Sequence, residues 1–229
     1  MVKVQVNNQG KVYLANGKAL VASDSEKYGA NINSILGDVD ANGVLRQPTE
    51  QSDLVFTGVK DVAIAVLQYK FSYTKVKSVS FPNLTTISGS SGCYYAFNNC
   101  AALTSVSFPN LTTISGSSGC QNMFYYCTAL TSVSFPSLTT ISHMFGCFGM
   151  FNNCKALTDV YFPALTTTSF GSDYKNQFSS MMSSTGNKVT HTLHFPSNLE
   201  STIQGLTGYP LFGGTDGYVV LAFDLPATE

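Results

Sequence analysis

Six cysteines and three histidines are the side chains of this 229-residue chain that could do the most varied chemistry. The cysteines fall into two series, each with a spacing of 27 residues. The first series is Cys93, Cys120 and Cys147, and the second is Cys100, Cys127 and Cys154. The resulting C-x6-C pairs match no zinc signature. Because cysteine is among the most often buried residue types, we predict reduced, structural thiols.

The histidines lack the neighbours that a metal site would need. His191 and His194 form an H-x-x-H pair, but no nearby carboxylate or third ligand completes a site, and His143 beside Cys147 is equally weak. No G-x-S-x-G sequence accompanies the many serines, and the GSSG sequences lack the lysine of a phosphate-binding loop. We therefore predict a protein that is not an enzyme and that holds no metal and no cofactor.

A repeat of 27 residues positions these side chains. The dipeptide Phe-Pro occurs four times at that interval, and a fifth copy follows after a six-residue insertion. The copies are Phe81-Pro82, Phe108-Pro109, Phe135-Pro136, Phe162-Pro163 and Phe195-Pro196. Each unit is too small to bury its own apolar edge, so the repeat predicts units that stack around a shared core.

Each unit contains three predicted elements. Leu103, Val106 and Phe108 show the L-x-x-L-x-L spacing of leucine-rich repeats, in which the last four residues form a short strand on the concave wall. Leu111 and Ile114 predict a second strand or turn on the outer side. The third element has phenylalanine at one phase and is predicted to be a short helical turn over the far side of the core. Those residues are Phe97, Phe124, Phe151 and Phe178.

Residues 96–115 read AFNNCAALTSVSFPNLTTIS, with Phe, Cys, Leu, Pro and Ile in register several times along the chain. This pattern resembles the BspA-like, or treponemal, leucine-rich repeats over roughly residues 70–205. The resemblance implies an α/β fold, a right-handed leucine-rich repeat solenoid with short parallel strands on the concave face. It also implies a bacterial surface or secreted protein that binds host matrix, other bacteria or surface components. The units are longer than is usual for this type, through GSSG insertions at 89–92 and 116–119.

Three regions are predicted along the chain. Residues 1–60 contain the alternating runs KVQV and KVYL around an Asn/Gly turn and form a small N-terminal β-hairpin or capping segment. Residues 61–205 form the solenoid of about five units, and residues 206–229 form a C-terminal cap. The hairpin sequence KVYLANGKAL is similar to short N-terminal segments of phage tail-associated proteins, so a virion component that docks through this segment is an alternative function.

The strongest candidate site is the exposed face of the short strands. Residues between the apolar positions face outward, and their chemistry is most varied at the C-terminal end of the array. We predict that this face binds a protein or glycan ligand through Ser132, Ser134, Thr158, Asp159, Tyr161, His191 and His194. Plain solvation of the same side chains is the alternative interpretation.

Two further sets of residues recur with the repeat. Tyr94, Tyr95, Tyr125 and Tyr126 lie on the opposite side, where they form either an aromatic binding stripe or part of the packing. Threonine pairs recur at 85/86, 112/113, 139/140 and 166/167, and raise ice or crystal-surface binding as a remote hypothesis.

Charge narrows the class of partner. The net charge is −1 and the pI is about 6.3. Proteins that bind nucleic acid or an anionic membrane surface usually have an excess of basic residues, so neither partner is expected. Residues 78–154 contain no Asp, Glu, Lys or Arg. No segment offers 18 uninterrupted apolar residues, and the start MVKVQVNNQG predicts no export signal. The location is therefore left open between the cell surface or extracellular space and a virion.

Overall fold

The structure is a computed structural model. It describes residues 61–63, 67–69, 71–143, 145–166, 190–205 and 219–228, together with five strands between residues 2 and 56 for which, Phe56 apart, only the backbone is described. The predicted position of Phe178 lies outside the described residues, as does the first part of the predicted C-terminal cap at 206–218.

The described residues form short strands and very little helix. In chain order the strands are β1 (Val2–Val6), β2 (Val12–Leu14), β3 (Asp38–Val39), β4 (Leu45–Arg46), β5 (Asp53–Phe56), β6 (Ser78–Ser80), β7 (Thr86–Ile87), β8 (Ser105–Ser107), β9 (Thr113–Ile114), β10 (Ser132–Ser134), β11 (Thr140–Ile141), β12 (Asp159–Tyr161), β13 (His191–Pro196) and β14 (Val219–Leu225). A 3-10 turn at Ser197–Leu199 leads into one short helix, α1 (Glu200–Gln204).

The L-x-x-L-x-L sequences form the parallel strands that they predict. In β6, β8, β10 and β12 a β-branched valine points toward the core and its two neighbours point away, because successive side chains of a strand alternate. The pairing keeps equivalent residues opposite each other, as with Val79 and Val106 or Val160 and Leu193. One repeat is therefore one turn of a parallel β-solenoid, which confirms the predicted leucine-rich repeat architecture.

The N-terminal hairpin joins the same sheet. β1 and β2 pair antiparallel, with Val4 opposite Leu14, as the alternating sequence predicts. β1 also pairs parallel with β5, and β5 pairs with β6, so the strand order is β2-β1-β5-β6-β8. The second sheet has the order β10-β12-β13-β14, in which β14 extends the solenoid beyond the fifth Phe-Pro.

The strand ladder is interrupted once in the middle of the array. Within the described residues, β8 and β10 belong to different sheets although they are equivalent strands of neighbouring units. Other features cross this boundary. The outer sheet β7-β9-β11 is continuous over it, and the rings of Phe108 and Phe135 stack across it with centroids 5.5 Å apart. The core therefore holds the two sheets together.

The third side of each unit is a run of tight turns rather than the predicted helical turn. Its N–H groups alternate between two kinds of partner. Ala96 N–H donates to the carbonyl of Cys93 in the same unit (3.1 Å), whereas Phe97 N–H donates to the carbonyl of Met123 in the next unit (2.9 Å). Each of the four described turn segments has two residues with positive φ, four positions apart, where the chain changes direction. Half of the hydrogen bonding is thus supplied by the next unit.

Two ladders of phenylalanine rings fill the centre. The rings at the strand side stack along the solenoid at 4.4–5.5 Å, and those at the turn side at 5.3–5.7 Å. The strand-side rings are Phe56, Phe81, Phe108, Phe135, Phe162 and Phe195, and the turn-side rings are Phe71, Phe97, Phe124 and Phe151. All are at most 1% exposed, so the repeated apolar positions form one continuous core.

The six cysteines lie in this core, as predicted, and none is disulfide-bonded. In the second series each thiol donates to a carbonyl of the preceding unit: Cys100 to Phe71 at 3.1 Å, and Cys127 to Phe97 at 3.2 Å. Thr74 takes the equivalent place one unit before Cys100, and its Oγ1 lies 3.3 Å from Cys100 Sγ. A small side chain with a donor suits this position, which explains why cysteine recurs without any need for redox chemistry.

Candidate functional site

The face of the second sheet brings most of the predicted binding residues together. In the parallel pairing, Ser132 lies beside Asp159 and Ser134 beside Tyr161, and Tyr161 in turn lies beside His194. Ser132, Ser134 and Thr158 are exposed, and Asp159, Tyr161 and His194 are partly exposed. Thr158 apart, these side chains alternate with core residues along β10, β12 and β13, so the strand periodicity places them on one accessible surface. Thr158 precedes β12 and bonds to Asp159 through its hydroxyl.

His194 is the centre of this surface. Its Nε2 lies 3.0 Å from Asp159 Oδ1, and its Nδ1 lies 2.9 Å from both carboxylate oxygens of Asp224. A carboxylate only accepts hydrogen bonds, so contacts with a carboxylate at both ring nitrogens favour the imidazolium form of His194, in which both nitrogens donate. Tyr161 stacks on the same ring with centroids 4.3 Å apart and an interplanar angle of 12°. Four side chains from three strands thereby hold one another in position.

Asp159 is held in its charged form. Thr158 Oγ1 donates to Asp159 Oδ2 at 2.6 Å, and this bond followed by the bond from His194 lowers the pKa of the Asp159 carboxyl. Desolvation opposes the charged form of His194, but hydrogen bonds and charge interactions with Asp159 and Asp224 outweigh it, so the pKa of His194 is raised. The two neighbouring carboxyl groups thus stabilise the protonated form of His194.

This arrangement predicts a pH-dependent effect of replacing His194. A raised pKa means that His194 contributes stability fully below the ordinary histidine pKa, and that the contribution is lost as pH rises through the folded-state pKa. Because the group is partly exposed, we expect His194→Gln to cost about 1 kcal/mol at about pH 5.5 and clearly less at about pH 8.5. Urea unfolding of both proteins at the two pH values measures the difference. Equal costs at both values would contradict the ion pairs.

His191 does not belong to this surface. It was predicted to face outward with His194, but its side chain is only 2% exposed and lies on the core side of β13 with Leu193 and Phe195. Its Nδ1 donates to the carbonyl of Leu157, and its Nε2 has no partner within the described residues. Side chains three positions apart in a strand point to opposite faces, so only one histidine of the pair could remain accessible.

Asp224 is the functional candidate that sequence reasoning missed. It lies on β14, where Val219, Leu221 and Phe223 pack against the core and Asp224 is exposed. The alternating sequence VVLAFDL could have indicated this strand, since it repeats the apolar–polar pattern of the earlier units. β14 follows β13 by 28 residues, close to the repeat period, but it lacks the Phe-Pro dipeptide that marks the earlier units.

A second surface, formed by tyrosines of the turn segments, lies outside both sheets. Tyr95 contacts Tyr69 (5.3 Å, stacked), Tyr94 (4.7 Å) and Tyr125 (5.8 Å), and Tyr125 contacts Tyr126 (4.7 Å). Tyr94, Tyr95, Tyr125 and Tyr126 are all partly exposed. These tyrosines therefore pack against one another and also remain partly accessible to solvent.

The threonine pairs have internal hydrogen bonds. The hydroxyl of Thr112 donates to the carbonyl of Thr85 at 3.0 Å, and Thr139 bonds to Thr112 in the same way at 3.2 Å. This use of the hydroxyls gives the repeated threonines a structural role between units. Ice or crystal-surface binding stays a prediction.

The described part of the chain has neither a candidate metal site nor a candidate membrane-spanning helix. It contains no group of three or more His, Cys, Asp or Glu side chains that could hold a metal ion. The helix that it contains is far too short to cross a bilayer, and no other described helix is long and apolar enough to do so.

Comparison with protein families gives one match. The model for the BspA type leucine-rich repeat region matches residues 64–202 in six copies, which is more than half of the chain. Comparisons with curated proteins and with solved structures give no match. Leucine-rich repeats generally mediate protein interactions and are generally not enzymatic, and proteins of this type are typically found at the cell surface or outside the cell. The repeat, the strand register and the matched region agree, and the chain belongs to the BspA-type leucine-rich repeat family.

Proposed function

We propose that this chain is a non-enzymatic interaction protein that binds a protein or glycan ligand through the exposed face of its second sheet, in bacterial surface adhesion. The observation that carries the proposal is the cluster of Asp159, Tyr161, His194 and Asp224. It combines ionisable groups of both signs and an aromatic ring, whereas the equivalent positions of β6, β8 and β10 have only serine hydroxyls.

The geometry of the cluster supports recognition in two ways. Mutual hydrogen bonds and ring stacking order these side chains before a ligand arrives, so binding need not pay the full entropic cost of immobilising them. An aromatic side chain beside charged groups also has the composition of energetically important interface residues. Ser132 and Ser134 continue the face with small hydroxyls, which let a ligand approach the backbone closely.

Direct binding tests this proposal. The labelled protein is compared with the Asp159→Ala/Tyr161→Ala/His194→Ala variant for binding to bacterial cells, extracellular-matrix proteins and glycans. The matched control, Ser105→Ala/Ser107→Ala, changes exposed side chains on the first sheet. We expect the cluster variant to bind at least about tenfold more weakly, since interface residues of this kind contribute about 1–2 kcal/mol each. Unchanged binding by the cluster variant would contradict the assignment of this face.

Circular dichroism keeps the result interpretable. Both variants should retain the spectrum of the parent protein, because the replaced side chains lie outside the core. Failure of the parent protein to bind any member of the panel would remove adhesion through this face as its function.

A further inference from the structure

The turn segments carry a surface, here named the tyrosine face, that the sheet-face proposal does not use. It consists of Tyr69, Tyr73, Tyr94, Tyr95, Tyr125 and Tyr126. Tyr69 is 36% exposed and Tyr73 is 42% exposed, and they are among the most exposed large hydrophobic side chains of the described residues. Ring contacts link Tyr69, Tyr94, Tyr95, Tyr125 and Tyr126 into a continuous row across three consecutive units.

The backbone under this face is strained where tyrosine occupies it. Tyr69, Tyr73, Tyr95 and Tyr126 have φ angles of 56°, 62°, 51° and 59°, in the left-handed region that bulky residues rarely adopt. Asparagine and glycine tolerate this region far better. Strain that the fold does not require is a pointer to function.

Other units show that the fold does not require tyrosine there. At the phase of Tyr95 the later units have Asn122 and Gly149, with φ angles of 54° and 61°. At the phase of Tyr126 the flanking units have Asn99 and Asn153, with φ angles of 57° and 61°. The same turns are thus built with residues that suit their backbone. Packing alone leaves the choice of tyrosine unexplained.

The chemistry of the face selects a class of ligand. It offers flat apolar rings, phenolic hydroxyls and no ionised group from residue 78 to residue 154. Burial is the main cause that raises the pKa of Tyr69 to about 12 and also raises the pKa values of Tyr95 and Tyr125, so these hydroxyls stay protonated and can donate. An anionic polymer or an anionic membrane would need lysine or arginine along the whole row. The sequence has them only beside its first tyrosines, as Lys70, Lys75 and Lys77. A ligand with apolar ring faces edged by uncharged hydroxyls matches both features.

We propose that the tyrosine face is a second binding site, which takes a neutral polysaccharide by stacking its sugar rings on the tyrosine rings. Rings of successive units lie 5.3–5.8 Å apart, so a chain lying along the array meets one partly exposed tyrosine after another. Many weak contacts then act together, as in other extended binding surfaces of solenoids. This site is separate from Asp159, Tyr161 and His194.

The decisive variant is Tyr69→Asn/Tyr95→Asn/Tyr126→Asn. Asparagine already occurs at equivalent positions with positive φ, so the fold should be retained. The matched control, Tyr69→Phe/Tyr95→Phe/Tyr126→Phe, keeps the rings and removes only the hydroxyls. Binding to cellulose, chitin and dextran is measured by depletion, with heparin as the charged comparison. The chain has 12 tyrosines and no tryptophan, so tyrosine fluorescence reports binding of soluble oligosaccharides directly.

We expect the parent protein to bind at least one of the three neutral polymers. The Asn variant should bind it at least tenfold more weakly, while the Phe variant and the Asp159→Ala/Tyr161→Ala/His194→Ala variant keep most of the binding. Two results would overturn the proposal: no binding to any neutral polymer, whether or not heparin binds, or equal binding by the parent and Asn proteins. Equal losses in the Phe and Asn variants would overturn stacking as the source of affinity. If only the sheet-face variant bound the polymer more weakly, the result would support the sheet-face proposal and contradict the tyrosine-face proposal.

Discussion

Replacing Phe124 with alanine is expected to lower the free energy of unfolding by about 3–5 kcal/mol, a large part of the stability of an ordinary domain. The ring is fully buried between Phe97 and Phe151, with centroid distances of 5.6 Å and 5.7 Å, and its edge meets Phe108 at 6.2 Å. Removing it leaves a cavity lined by three rigid rings from three units. Because neighbouring side chains cannot collapse into that space easily, the cost should lie at the upper end for a single substitution.

Phe145→Ala is the matched control for that experiment. The Phe145 side chain is 36% exposed, so its loss should change stability by less than about 1 kcal/mol. Urea unfolding followed by circular dichroism measures both variants. Each unit contacts mainly its neighbours, so the Phe124 variant is also expected to unfold less cooperatively, with a lower denaturant slope. A cost below about 1.5 kcal/mol for Phe124→Ala would show that the phenylalanine ladder is not continuous in solution.

The six thiols are expected to resist modification in the folded protein. All are buried, and burial raises the pKa of Cys147 from its ordinary value of 9.0 to about 12. The thiolate is the reactive form, so at neutral pH its population at Cys147 falls about a thousandfold, before the loss of access is counted. Burial likewise raises the pKa values of Cys120 and Cys127 well above the ordinary range. Reaction should therefore wait for unfolding.

Titration with a thiol-specific disulfide reagent checks this expectation. The native protein should release almost no chromophore during the time in which the urea-unfolded protein releases six equivalents. Ser105→Cys provides the control, because it adds a seventh thiol at an exposed strand position that should react at once. If any native cysteine reacts as fast as the added one, the packing role assigned to the two series is wrong.

The fold was predictable from the sequence because the period of the apolar positions has a direct physical meaning. The positions of Val106 and Phe108 are apolar in every unit and alternate with polar residues, and only a strand places the two sets on opposite faces. Equal spacing then requires equivalent residues to pair. The turn segments were harder to predict, since apolar residues there follow neither the strand nor the helix period. Positive φ angles at Tyr95 and Asn99 let the chain bend every four residues instead.

The candidate site was predictable only in part. Alternation placed Asp159, Tyr161 and His194 correctly on one face. His191 was misplaced because its polarity suggested exposure, whereas the strand register and a bond to the carbonyl of Leu157 put it in the core. Asp224 comes from a strand outside the regular repeat, and only the pairing of β14 with β13 brings it to His194. Sequence periods locate residues within a unit, but contacts made after a break in the period require the structure.

The alternating hydrogen bonds of the turn segments bear on how such a chain changes length during evolution. Every second N–H there is satisfied by the following unit, as with Phe97 and Met123. Gain or loss of a whole 27-residue unit leaves each donor facing an equivalent carbonyl and each phenylalanine ring facing another. Gain or loss of a partial unit would leave buried N–H donors without acceptors, at a cost of about 1–3 kcal/mol each. Genes of this kind can therefore lengthen or shorten in repeat-sized steps while keeping the surfaces at either end intact.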